Sequence, residues 1–93
     1  RECFMDRIDE IKKEIKSLKG KIDRLNKKNK ALTTESEQLC SIPAEKRTTL
    51  IDLRIGEIKL DIGNNNIYKF EYEQSLKELE KEFEKEQSQA QPS

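Results

Sequence analysis

Cys3 and Cys40 carry the most distinctive chemistry in this chain, because a thiolate can act as nucleophile, redox partner or soft metal ligand. Each of those uses needs neighbours. A cysteine nucleophile needs a base, and the chain contains no His at all. A zinc site needs several ligands at close spacing, but the two cysteines stand 37 positions apart with no C-x-x-C. No Ser sits in a nucleophile elbow and no Gly-rich loop could cradle a phosphate. A non-enzymatic protein without metal or cofactor is therefore expected. Two isolated cysteines in a Lys/Glu-rich chain suit a reducing compartment, so an intracellular setting, cytoplasmic or nuclear, is expected.

The second group with chemical potential is basic. Lys12 to Lys30 carries nine Lys/Arg against Glu14 and Asp23, a local charge of +7. Such a stretch could bind nucleic acid or an anionic membrane surface. Its basic residues are nearly all Lys, with Arg24 alone, and no aromatic interleaves them. Arg and aromatics carry most base and bidentate phosphate recognition, so a solvated helix face is the better reading. A basic-zipper arrangement fails too, because the Lys residues overlap the apolar repeat instead of preceding it. Glu71 to Gln87 carries seven Glu against three Lys, a local charge of −4. The two stretches should attract, within one chain or between chains.

The elements that position these groups follow from apolar spacing. Ile8, Ile11, Ile15, Leu18, Ile22, Leu25, Asn29 and Leu32 follow one another at alternating steps of 3 and 4. Phe4 extends the series backward, and Leu39 extends it forward past Ser36. With Ile8 as heptad position a, the a series is Ile8, Ile15, Ile22, Asn29 and Ser36. The d series is Phe4, Ile11, Leu18, Leu25, Leu32 and Leu39. A stripe repeating every 3.5 residues keeps one seam facing a partner helix, so residues 4–40 are expected to form a coiled-coil oligomerisation helix. Ile at a with Leu at d favours a parallel dimer, and Asn29 at an a position would pair with its twin and fix register and number. Cys40, at position e, would then lie near the Cys40 of a second copy. The expected interface is Phe4, Ile8, Ile11, Ile15, Leu18, Ile22, Leu25, Asn29, Leu32 and Leu39.

Pro43 disfavours helix in Ile42, so residues 41–48 read as a linker. Beyond it the pattern changes. Ile51, Leu53 and Ile55 alternate with charges; so do Ile58, Leu60 and Ile62, then Tyr68, Phe70 and Tyr72. Gly56-Glu57 and Gly63-Asn64-Asn65-Asn66 separate the three runs. Period-two alternation punctuated by Gly and Asn predicts a three-stranded antiparallel β-meander. Pairing Ile62 with Tyr68, Leu60 with Phe70 and Ile58 with Tyr72 also sets Asp61 by Lys69 and Lys59 by Glu71. Residues 74–87 read as a helix whose Leu76, Leu79 and Phe83 would cover the sheet. The expected fold is therefore α+β: a long N-terminal coiled-coil helix, then a small cap over 49–87. Residues 88–93 read as a disordered tail. Ile58, Leu60, Ile62, Tyr68, Phe70, Tyr72, Leu76, Leu79 and Phe83 are the expected core or docking face of the 49–87 cap.

A rival pattern runs through the same residues. Ile51, Ile55, Ile58, Ile62, Asn65, Lys69, Tyr72, Leu76, Leu79 and Phe83 lie at alternating steps of 4 and 3. They could form a second helix folding back about Ser41-Ile42, an all-α antiparallel helical hairpin that assembles into a bundle. Leu32 would then face Ile51, Leu25 Ile58, Ile11 Tyr72 and Ile8 Leu76. Two features favour the sheet. Leu53, Leu60, Ile67 and Phe70 would lie outside that seam. Gly56, Gly63 and three Asn would sit mid-helix, which costs several kcal/mol by propensity.

Overall charge is balanced, with 19 Lys/Arg against 19 Asp/Glu, and only 32% of residues are apolar. A chain this small and polar buries little alone, so association is the natural way to complete its core. No run approaches the roughly 20 apolar residues of a membrane span. The start at Arg1 rather than Met suggests a piece of a larger protein. The functional expectation is an oligomerisation and protein-docking scaffold, pairing with itself as a parallel homodimer and with another protein. The alternatives are a helical-hairpin assembly module and a basic coiled coil binding nucleic acid.

Overall fold

The structure, a computed structural model, describes the backbone of residues 3–90 and the side chains of residues 7–88. Two long helices account for nearly all of it: α1, Cys3–Cys40, and α2, Thr49–Ala90, joined by one 3₁₀ turn at Ala44–Lys46. The helices pack antiparallel into a rod with principal extents of 71 × 15 × 14 Å. The expected α+β fold is overturned. There is no strand among the described residues, and the segment expected as a meander is the first part of α2. The rival pattern, an all-helical hairpin, is the fold. Residues 88–90, expected in a disordered tail, continue α2, and the rest of that tail lies outside the described residues.

The misleading alternation has a geometric origin. At about 100° per residue, positions i and i+2 on a helix point to nearly opposite sides. Apolar residues at every second position therefore split into two faces. Ile51, Ile55, Ile58 and Ile62 turn toward α1, while Leu53 and Leu60 turn away from it. Gly56 and Gly63 sit within regular helix, with no positive φ, and Asn64, Asn65 and Asn66 follow without a break. Packing against α1 outweighs their poor propensity, which is worth about 1 kcal/mol for each Gly.

The connector stops one helix and starts the next. Ser41 N–H and Ile42 N–H donate to Glu37 O and Leu39 O at 3.1 and 3.2 Å, closing the end of α1. Pro43, at φ −54° and ψ 142°, turns the chain outward, as its ring and missing N–H require. Arg47 Nε then donates back to Ile42 O at 3.0 Å and holds the turn shut. Thr48 caps α2, its Oγ1 accepting the Ile51 N–H at 3.2 Å. Asp52 in the first turn favours the positive helix end.

This eight-residue connector sets a different register from a tight turn at Ser41-Ile42. Asn29 lies opposite Asn65, and that alignment brings Leu32 to Ile62, Ile22 to Tyr72, Leu18 to Leu76, Ile15 to Leu79 and Ile11 to Phe83. The expected facing of Leu32 with Ile51 and of Ile11 with Tyr72 is thus displaced by about three helical turns. The core is thin. Only Ile11, Ile55 and Ile58 are buried among the described side chains, and the other seam residues are half-buried. A two-helix rod leaves both flanks of its seam open, and its accessible surface of 7244 Å² exceeds the ~5,600 Å² of a compact protein of this mass.

Candidate interaction surface

The α1 seam named from the sequence is occupied within the chain. Ile8, Ile11, Ile15, Leu18, Ile22, Leu25, Asn29, Leu32 and Leu39 all lie on the half-buried or buried side that faces α2. The side chain of Phe4 lies outside the described residues. Within the chain this seam packs against α2, so the expected parallel homodimer loses the free α1 seam on which it was argued. Asn29 shows the change most directly. Its Oδ1 accepts from Asn65 Nδ2 at 2.9 Å, and its Nδ2 donates to Asn66 Oδ1 at 2.9 Å. The half-buried Asn29, expected to meet its twin, instead pairs across the hairpin and marks its register.

The hairpin is clamped near both ends by the same device. Arg54 stands four residues before the buried Ile58 and donates through Nε and Nη2 to the two carboxylate oxygens of Glu35, both at 2.8 Å. Arg7 stands four residues before the buried Ile11 and pairs with Glu82, Nε at 2.9 Å. In the Arg54–Glu35 pair the fork of the guanidinium matches both carboxylate oxygens and fixes orientation as well as distance, whereas Arg7 meets Glu82 through one oxygen. The Arg54 hydrogen bonds hold the Glu35 carboxyl below the usual carboxylate range, and Glu35 raises Arg54 in return. Glu82 raises Arg7 in the same way. Sequence reading missed all four residues. Their signal was their place one step from a seam position on each helix.

The opposed charge blocks also meet inside the chain. The hairpin register lays Lys12 to Arg24 alongside residues 70–82, which hold five of the seven Glu of the acidic stretch. Lys12 Nζ sits 6.0 Å from the Phe83 ring centre and Lys21 Nζ 5.4 Å from that of Tyr72, so their charges also rest on aromatic faces. Shallow furrows of about 440 and 460 Å³ run along the two flanks of this stretch, beside Leu18 and Leu79 and beside Ile15 and Phe83. Both are open to solvent and edged by Lys and Glu.

The expected docking face of the second half divides in two. Ile58, Ile62, Tyr72, Leu76, Leu79 and Phe83 turn into the seam. Leu60, Tyr68 and Phe70 turn outward, together with Leu50, Leu53 and Ile67, and these six are 54–77% exposed. Leu53, Gly56, Leu60, Gly63, Ile67 and Phe70 follow at steps of 3 and 4, a second seam-like stripe roughly 160° around α2 from the first. A Cβ built on Gly56 or Gly63 would meet nothing within 4 Å. The matching outer side of α1 is polar, holding Lys13, Lys16, Asp23, Lys27 and Lys30, with Asp23 bridged to Lys27 at 3.2 Å. The unpartnered apolar surface therefore belongs to the first half of α2.

Cys40 is a free, exposed thiol beside the connector, 4.0 Å from Ser36 Oγ. It lies at the far end of α1 from Cys3, about 55 Å away along the helix, so the two cannot bridge within one chain. Among the described residues no group of three or more His, Cys, Asp or Glu could hold a metal ion, and no helix is long and apolar enough to cross a membrane. No protein-family model, no curated protein and no solved structure matches the chain.

Proposed function

We propose that this chain is a non-enzymatic protein-interaction module, a self-closed helical hairpin that docks through the outer face of α2. The observation that carries this reading is the stripe of large apolar side chains left exposed opposite the seam. Exposed apolar residues scattered singly need no explanation, but a contiguous row on one helix face marks an interaction site. The hairpin supplies stiffness: clamped near both ends, it holds that row along a straight rod.

The nucleic-acid reading gains no support. The basic block that suggested it lies alongside the acidic block of the same chain, which reduces the field available to phosphates.

The test is cross-linking in cells that express the full chain, comparing wild type with Leu53→Glu/Leu60→Glu/Ile67→Glu. The variant is expected to keep its helical circular dichroism, because none of the three positions faces α1. Its cross-links to protein, copies of itself included, are expected to disappear. Retention of every wild-type cross-link by a folded variant would rule out the outer face as the docking surface.

A further inference from the structure

Building on the docking reading above, we propose that the outer face of α2 pairs with the same face of a second copy of this chain, antiparallel, about a two-fold axis between Leu60 and Gly63. The size pattern along the stripe is what selects this occupant. It reads Leu53, Gly56, Leu60, Gly63, Ile67, Phe70, large and absent side chains at alternating steps of 3 and 4 up to Ile67. Turned end for end on itself about that point, the stripe is complementary to itself. Leu60 of each copy meets Gly63 of the other, Ile67 meets Gly56, and Leu53 meets Phe70. Facing positions that alternate large and small let two helices interdigitate and approach closely. A two-fold axis makes one such surface sufficient for both partners.

The glycines are otherwise unaccounted for. Glycine weakens a helix interior, and neither Gly56 nor Gly63 makes room for anything in the single hairpin. Each has a use when a Leu or Ile from a second copy seats over it. The flanks tolerate the pairing: Lys59 falls by Asn66 and Glu57 by Asn64 of the second copy, while like charges meet only at the outer edge, where Asp52 approaches Glu73. The area is of the right order. The four large side chains of the stripe, 59–70% exposed, offer several hundred Å² of apolar surface toward the ~800 Å² per partner of a standard interface, with the flanking residues adding the rest. Because the stripe lies opposite the seam, the dimer is a flat row of four helices in the order α1, α2, α2, α1.

The deciding experiment uses the whole chain, reduced, in sedimentation equilibrium from low micromolar to millimolar concentration. The wild type is expected to approach twice 10.9 kDa. Gly63→Leu fills both central layers with side chains, and overpacking there is expected to weaken the dimer about 100-fold or more while the hairpin melts at a higher temperature. For orientation, Leu53→Cys and Phe70→Cys chains, each with Cys3→Ser and Cys40→Ser, are mixed and oxidised. A disulfide joining the two different chains in preference to either like pair is expected. A wild type that stays monomeric throughout, a Gly63→Leu dimer of unchanged affinity, or preferred Leu53→Cys self-coupling would each overturn the proposal. A monomeric wild type whose cross-links in cells are still lost in the triple Glu variant would leave the docking reading standing and remove only the second copy as its occupant.

Discussion

At the scale of single residues, the hairpin is specified by a few polar side chains more than by its thin core. Asn29, Asn65 and Asn66 satisfy one another across the seam, and any shift of one heptad would set Asn29 against an aliphatic or aromatic residue instead. The Glu35–Arg54 pair has a pH signature whose sign is fixed. Glu35 titrates below its ordinary value in the folded chain, so its contribution is present above about pH 4.3, the usual Glu value, and is lost as pH falls through the folded value. Glu35→Gln is therefore expected to melt at a lower temperature than wild type near neutrality, with the gap closing in acid. Thermal melts from pH 7 to pH 2 check this, and a gap independent of pH would contradict it. Ile58 and Leu60 offer a second contrast, two residues apart on opposite faces. Ile58→Ala should cost about 2–5 kcal/mol as a buried truncation. Leu60→Ala should cost under about 0.5 kcal/mol at concentrations where the chain is single. Denaturant titration of the two variants measures both, and equal losses would refute the assignment of faces.

At the scale of elements, α1 was legible in the sequence because one period dominates it and its other face is polar. α2 was not, because it carries two apolar stripes. Leu53 and Leu60 counted against a helix so long as a helix was allowed one apolar face, and they complete a convincing strand alternation with Ile51, Ile55, Ile58 and Ile62. The Gly and Asn residues strengthened that error, since they form turns in most settings and are tolerated here only because α1 holds the helix together. The seam residues of both helices could be named from their spacing, but the register could not. It depends on a connector whose length is set by Pro43, the Arg47 hydrogen bond to Ile42 and the Thr48 cap. Asn64→Pro separates the two folds sharply. In a turn between strands it would be tolerated, whereas in the middle of α2 it removes a helical hydrogen bond and should cost about 3 kcal/mol or more. A melting temperature unchanged by that substitution would contradict the continuous helix.

At the scale of the whole molecule, the chain is a rod whose charges lie at its surface and whose hydrophobicity is partly left outside with them. The basic and acidic blocks lie side by side along the hairpin and partly offset each other, and the Arg7–Glu82 and Arg54–Glu35 pairs bridge the helices near its two ends. The outer α2 stripe then stands as the one extended apolar surface among the described side chains, which is why docking is the function its physics supports. The exposed stripe exists only because α1 closes against the opposite face of α2 of its own chain. Electron–electron distance measurement between spin labels at Lys13→Cys and Lys81→Cys, with Cys3 and Cys40 replaced by Ser, tests this directly. Both positions are exposed and lie opposite one another across the hairpin. A distance of roughly 20–30 Å is predicted, from helices packed 8–10 Å apart with both labels pointing outward, and it should persist after dilution with excess unlabelled chain. A distance beyond about 40 Å would mean that the helices do not fold back on each other, given a rise of 1.5 Å per residue. Loss of the short distance on dilution would mean that the seam closes between chains and would contradict the hairpin.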